Sequence, residues 1–387
     1  LAQDHLVLDF ETAARISDAA IGQALRIDPN SAVTLRAQGF AERVKGIRSG
    51  NTDHYVRAVA ALSRAVAMAP GNADGWFLLG TAQSSLGRDA EALASLRKAI
   101  AIDPLNRGAL TMAGVSLMNL GQTAEAEAQY LRTSELYPDY TPALLSLARL
   151  RIATGQLDAA VPPLLRARAI DDDAAAGFWL AYVYLNLGML PEVDRTLNSI
   201  AKSPTATGIA NAALMLAHGE HAALRSFALK EYAATKDPLW NNAIAMVALF
   251  TGDNATARSY FAATLPGLFL PEPRADGTPF DMMSAASALD GGGDKAQARR
   301  ILKLVLAQPV PKGPVDAALV NARVNAFVGL GDHAGAIAEL ENAYARGYRT
   351  PYDFDMFTRI DRYPLMRPFA ADQRLRVLLA RIASDNA

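Results

Sequence analysis

Residues 73–106 read ADGWFLLGTAQSSLGRDAEALASLRKAIAIDPLN and residues 107–140 read RGALTMAGVSLMNLGQTAEAEAQYLRTSELYPDY, and the second copy repeats the skeleton of the first. Trp76, Leu79, Gly80, Gly87, Ala92, Leu96, Ala99 and Pro104 are matched 34 positions later by Leu110, Ala113, Gly114, Gly121, Ala126, Tyr130, Thr133 and Pro138. Each copy divides at its central glycine into two segments of helical length with apolar residues three and four apart. Each closes on a proline, which lacks an N–H and clashes with the preceding turn. The unit is therefore helix, turn, helix, and its apolar face is too wide to be buried except on a neighbouring unit.

The phase extends outward from this pair. Upstream, residues 10–26 form an amphipathic pattern closed at Asp28-Pro29-Asn30, so the chain opens partway through a unit. Pro29 and Pro70 lie seven residues further apart than the period, and the surplus is assigned to a lengthened polar loop at 47–53. Downstream, residues 141–173 keep the phase through Leu144, Leu147, Ala148, Gly155, Ala160, Leu164 and Ala167, with Asp172 at the proline position. Pro162 and Pro163 fall early in that unit's second helix, where the first turn has no internal N–H partner to lose, and helix is expected over 161–171. A fourth unit carries Leu180, Ala181, Tyr184, Gly188, Val193 and Leu197.

Beyond residue 203 the repeat degenerates into helix pairs around turns at Gly219, Gly252, 291–293 and Gly331, with second helices over 222–235, 255–265, 295–308 and 334–346. The proline-rich segment 266–279 interrupts them and carries Leu268, Phe269 and Leu270, an apolar patch that must pack against something. Residues 363–382 read as a capping helix. The expected organisation is a repeat array over 1–203, degenerate repeats over 204–265, the loop 266–279, and further degenerate repeats with a cap over 280–387.

Composition agrees with an all-α class. The apolar half of the chain is dominated by Ala and Leu, strong helix formers, whereas aromatics make up only 7%. Thirty-eight basic and 39 acidic residues leave a net charge of −1 without long blocks of one sign, so no footprint for nucleic acid or anionic lipid is visible. Cysteine is absent, which removes disulfides, thiolate nucleophiles and sulfur metal sites and leaves cytoplasm and periplasm equally open. No apolar stretch reaches the roughly 18 residues needed to span a bilayer, and no signal-peptide pattern opens the chain. Residue 1 is Leu rather than Met, which leads to the expectation of further sequence upstream.

The period and the spacing W-x2-L-G, then A-x3-L, then P resemble the tetratricopeptide repeat. The resemblance implies a right-handed superhelical solenoid whose first helices line a concave groove that holds a peptide or a helix of a partner protein. In that phase the lining is Phe77, Thr81 and Ser84, then Thr111, Val115 and Asn119, then Leu145, Arg149 and Ile152, then Phe178, Tyr182 and Asn186. Arg149 alone does not supply the Lys, Asn and Arg set with which one subset of the family captures a C-terminal carboxylate. The mixed lining suits an extended or helical segment held by burial and a few amide contacts. The same aromatics could instead pack within the superhelix, or against the chain's own residues 268–270.

Chemistry-bearing constellations are sparse. His218 and His221 flank Gly219 at a turn with no third ligand, which reads as a solvated loop rather than a metal site. Asp353, Asp355 and Asp361 match no EF-hand spacing and lie among the packing residues Tyr352, Phe354 and Phe357. Gly291, Gly292 and Gly293 lack the preceding strand and the lysine of a phosphate loop, and no G-x-S-x-G occurs. The expected protein is a scaffold without catalytic residues, cofactor or metal.

One further pattern stands at the C-terminus. Residues 341–344 (ENAY), residues 363–375 (YPLMRPFAADQRL) and Leu378-Leu379 resemble the ending of repeat regions in bacterial signalling proteins. In those, a winged-helix DNA-binding domain or a nucleotide cyclase precedes the repeats. This resemblance implies a sensory region whose output domain lies upstream, although Asp372-Gln373-Arg374 departs from the usual D-P-R.

Overall fold

The computed structural model describes residues 10–49, 51–170, 174–200, 207–235, 239–311, 313–352 and 359–386. Among them are twenty α-helices and no β-strand, only an isolated antiparallel bridge between Tyr352 and Arg359. Asp172, the expected boundary at 203, Asp353, Phe354, Asp355 and Phe357 lie outside the described residues. The chain divides into two compact units, residues 1–146 and 147–387.

The first unit is built from α1 (Phe10–Ile27), α2 (Ala32–Ser49), α3 (Thr52–Met68), α4 (Ala73–Ser85), α5 (Asp89–Ile102), α6 (Arg107–Asn119), α7 (Thr123–Leu136) and the start of α8 (Thr141–Ala153). The repeat's punctuation sets these bounds. Two residues after each terminal proline, Asn72 and Asn106 cap α4 and α6, their side-chain oxygens accepting from the N–H groups of Gly75 (2.8 Å) and Ala109 (2.9 Å). At the central turn Gly87 takes φ 69°, a left-handed conformation that lets its own N–H and that of Arg88 close on the carbonyls of Ser84 and Gln83. The small residues set the helix spacing. A Cβ at Gly80 would stand 2.6 Å from Cγ of Leu96, and one at Gly114 would stand 2.4 Å from the Tyr130 ring. Ala92, Leu96, Ala126 and Tyr130 are all fully buried against those glycines.

One upstream expectation is corrected. The seven surplus residues between Pro29 and Pro70 do not form a loop but lengthen both helices, so α2 runs 18 residues and α3 17, against 13 and 14 for α4 and α5. The segment carries helix-forming Ala, Glu, Arg and Lys, and Asn51 caps α3 through the N–H of Asp53 (2.9 Å).

The second unit continues with α9 (Leu157–Ile170), α10 (Ala174–Asn186), α11 (Leu190–Ile200), α12 (Thr207–Ala217), α13 (His221–Thr235), α14 (Leu239–Thr251), α15 (Asn254–Thr264), α16 (Pro279–Gly291), α17 (Lys295–Leu306), α18 (Ala317–Gly329), α19 (His333–Ala345) and α20 (Gln373–Asp385). Its largest core gathers residues from α14 through α20, with the rings of Phe250 and Phe280 each in contact with that of Tyr363. The proline-rich segment makes one 3-10 turn, Pro266–Phe269, that buries Leu268 completely in this core. The carbonyls of Leu268 and Leu270 are held by the Gln297 carboxamide at 3.0 and 2.7 Å.

Two further corrections concern helix starts. Helix α9 begins at Leu157, so Pro162 and Pro163 sit inside it rather than in its first turn. Pro163 has no N–H to offer the carbonyl of Ala159, and the Arg151 guanidinium donates to that oxygen instead at 2.8 Å. The capping helix begins at Gln373, ten residues later than expected. Pro364 and Pro368 confine the preceding segment to short turns, and Asp372 caps α20 through the N–H groups of Arg374 (2.8 Å) and Leu375 (3.1 Å).

Candidate partner-binding face

In the first unit, the first helices α4 and α6 place the phase-selected residues side by side. Phe77 is half-buried on the next layer, because a Cβ at Gly108 would lie 3.0 Å from its ring. Thr81 and Thr111 are buried, and their hydroxyls donate back to their own helices at the carbonyls of Leu78 and Arg107. They line the layer and have no outward hydroxyl. Val115 and Leu145 are half-buried and Asn119 is exposed. The Asn119 amide donates to Asp89 at 3.1 Å, and Ser84 donates to the same carboxylate oxygen at 3.0 Å. One acidic side chain thus links the end of α4, the start of α5 and the end of α6. On this side the first unit offers an apolar floor at Phe77 and Val115 and a polar node at Asp89 and Asn119.

In the second unit the corresponding positions are differently engaged. Arg149 is exposed and lies 5.6 Å over the Trp179 ring, which meets the Tyr182 ring edge-on at 5.9 Å. Phe178 is half-buried, whereas Tyr182 and Asn186 are buried at 2% and 6% exposure. The cover is the chain's own distant segment. The Tyr182 hydroxyl donates to the carbonyl of Tyr352 at 3.1 Å, and the Tyr352 N–H donates to the side-chain oxygen of Asn186 at 3.4 Å. The Asn386 amide bridges the carbonyls of Asn186 (3.2 Å) and Arg349 (2.7 Å). Periodicity selects Tyr182 and Asn186 but says nothing of Tyr352 or Asn386. The one local signal is Pro351, which drives Thr350 towards an extended backbone.

The remaining constellations resolve into packing and capping. His218 pairs with Asp194 at 2.7 Å, while His221 stacks flat on Phe250 at 5.3 Å; burial, and then the nearby Arg362 charge, push His221 below the usual histidine range. Asp361 accepts from two nitrogens of the Arg359 guanidinium, Nε and Nη2, each at 2.7 Å. After Gly293, Asp294 caps α17 through the N–H of Gln297. No group of three or more metal-ligating side chains occurs among the described residues, and no described helix is long and apolar enough to cross a membrane.

Among curated proteins none matches this sequence. Solved structures give partial likenesses. PilW, a widely conserved type IV pilus biogenesis factor, is 22% identical over 48% of this chain and 84% of its own, with a TM-score of 0.43. A thermophilic TPR protein of Thermus thermophilus is 21% identical over 43% of this chain and 92% of its own, with a TM-score of 0.37. A chain of the APC/C hetero-tetramer Cut9–Hcn1 spans 96% of this chain and 59% of its own at 15% identity, with a TM-score of 0.49. A family model described as tetratricopeptide repeat matches residues 51–107 and 111–175, the stretch that holds α3 to α9 and the turn glycines Gly87, Gly121 and Gly155 one period apart, and those residues are tetratricopeptide repeats.

Proposed function

We propose that this chain is a non-catalytic scaffold whose repeats hold a protein or peptide segment on the side lined by their first helices. The observation that carries the reading is the division of labour on α6. Leu110, Ala113, Gly114 and Leu117 are consumed by layer packing, while Val115 and Asn119, four residues apart, stay accessible on another side. An apolar contact beside an exposed amide is the combination that binds an extended or helical segment by burial and main-chain hydrogen bonding. The residues assigned to the binding face in the first unit are Phe77, Thr81, Thr111, Val115, Asn119 and Leu145; the corresponding positions of the second unit, taken separately, are Arg149, Phe178, Tyr182 and Asn186, of which the last two hold the chain's own segment. Thr81 and Thr111 contribute shape only. The pattern at 372–379 lends no separate support to a regulator or cyclase, because Asp372 caps α20 and Leu375, Leu378 and Leu379 are buried beneath it.

The test is a peptide selected from a random displayed library on the intact chain, with its affinity measured by fluorescence anisotropy. Val115→Asp and Asn119→Ala should each weaken that peptide tenfold or more at an unchanged melting temperature. Equal affinity in both variants would contradict the reading.

A further inference from the structure

Glycines close helix-pair or helix-end turns with φ between 69° and 99°, among them Gly87, Gly155, Gly188, Gly252, Gly331 and Gly347. At Gly87, Gly188, Gly252 and Gly331 the space a Cβ would fill is open. Gly155 and Gly347 differ. A Cβ at Gly155 would stand 2.5 Å from the carbonyl oxygen of Gly347, and one at Gly347 would stand 2.8 Å from the carbonyl oxygen of Thr154. Two turns far apart in sequence are in backbone contact, beyond anything the left-handed conformation requires.

This contact begins a seat for the segment 347–352. Tyr348 is buried, with its hydroxyl on Asn321 at 2.6 Å, and Thr350 and Pro351 are buried beyond it. Asn386 holds the Arg349 carbonyl, Tyr182 the Tyr352 carbonyl and Asn186 the Tyr352 N–H, while the Pro351 carbonyl accepts from Ile360 at 2.8 Å. The main chain is thus gripped by side chains of α10 and by Asn386. Tyr348 and Arg349 are held through their side chains as well, the Arg349 guanidinium donating to the Tyr344 carbonyl at 3.0 Å and pairing with Asp385 at 3.3 Å.

We propose that the end of α8 and the inner side of α10 form a binding site for an extended peptide backbone of the Tyr-Arg-Thr-Pro-Tyr type, and that the chain's own residues 347–352 are its resident occupant. An external segment of that chemistry binds only when the resident segment is displaced. The proposal rests on the backbone-binding reading of Tyr182 and Asn186. It is independent of Val115 and Asn119, so the two tests fail separately.

The experiment compares the intact chain with Gly155→Asn and Gly188→Asn. Asn tolerates a left-handed turn, so both variants keep the turn, but only Gly155→Asn drives a Cβ into Gly347. In Gly155→Asn, hydrogen exchange at the Tyr352 amide should rise tenfold or more, and a labelled peptide of residues 347–352 should bind saturably. Neither change should occur in the intact chain or in Gly188→Asn, and adding Asn186→Ala to Gly155→Asn should weaken the peptide tenfold or more. Unchanged exchange in Gly155→Asn, or accelerated exchange without peptide binding, would overturn the proposal. Should Gly155→Asn fail to fold, Tyr182→Phe, which removes one hydroxyl, must itself accelerate exchange at Tyr352, and unchanged exchange there overturns the proposal equally.

Discussion

At the scale of single residues, the repeat is a grammar of glycine, alanine and proline, and most of it is legible without coordinates. Gly80 and Gly114 are required because Leu96 and Tyr130 fill the space beside them, and Asn72 and Asn106 stand where a helix start needs an acceptor. Pro163 is the instructive exception. Its tolerance was expected from a position in the first turn, but it lies in the seventh position of α9 and depends on Arg151 at the Ala159 carbonyl. A pattern of helix formers cannot reveal a guanidinium arriving from the preceding helix. Arg151→Leu should therefore destabilise the chain by about 1–3 kcal/mol, the cost of stranding a partly buried carbonyl. In a Pro163→Ala background the residue 163 N–H reaches that carbonyl, so the same substitution should cost about 1 kcal/mol less. Urea unfolding of the four members of this cycle measures the coupling, and strict additivity would refute the compensating role.

At the scale of elements, helix existence was readable and helix length was not. The surplus between Pro29 and Pro70 has polar residues suited to either a loop or a helix surface, and beside its helix formers and the Asn51 cap a charge cluster between α1, α2 and α3 supports the helical outcome. Glu42 accepts from Arg57 (2.7 Å), His54 (2.9 Å) and Lys45 (3.1 Å), and Lys45 also reaches Asp18 at 2.8 Å. Burial alone would raise the Glu42 pKa, but these hydrogen bonds, led by Arg57, outweigh it and lower the value from 4.5 to about 2. A carboxylate depressed in the folded state stabilises above its unfolded pKa and loses that stabilisation as pH falls through the folded one. The contribution is accordingly complete above pH 4.5 and disappears between pH 4.5 and about 2. Glu42→Gln should lower the melting temperature near pH 6, and its difference from wild type should shrink across that window in thermal unfolding followed by circular dichroism. A difference that stayed constant with pH would show that the cluster adds packing alone.

At the scale of the whole molecule, a sequence period reports what each layer does to the next and is silent on contacts between distant turns. Phe77, Val115 and Asn119 could be selected by phase because their positions repeat. The cover over Tyr182 and Asn186 could not, since Gly347, Tyr352 and Asn386 belong to segments where the period has faded. Of the expected packing patch 268–270, Leu268 and Phe269 pack on the core of α14 to α20 rather than on the phase-selected aromatics, whereas the Leu270 side chain is exposed and only its carbonyl is held, by Gln297. These contacts divide the candidate face into positions already holding this chain's own backbone and positions in the first unit at which a partner segment is proposed to lie. If the first helices hold the partner, hydrogen exchange of the intact chain with and without a library-selected peptide should show peptide-dependent protection concentrated in α4 and α6; protection confined to the second helices α5 and α7 would show that the partner lies elsewhere.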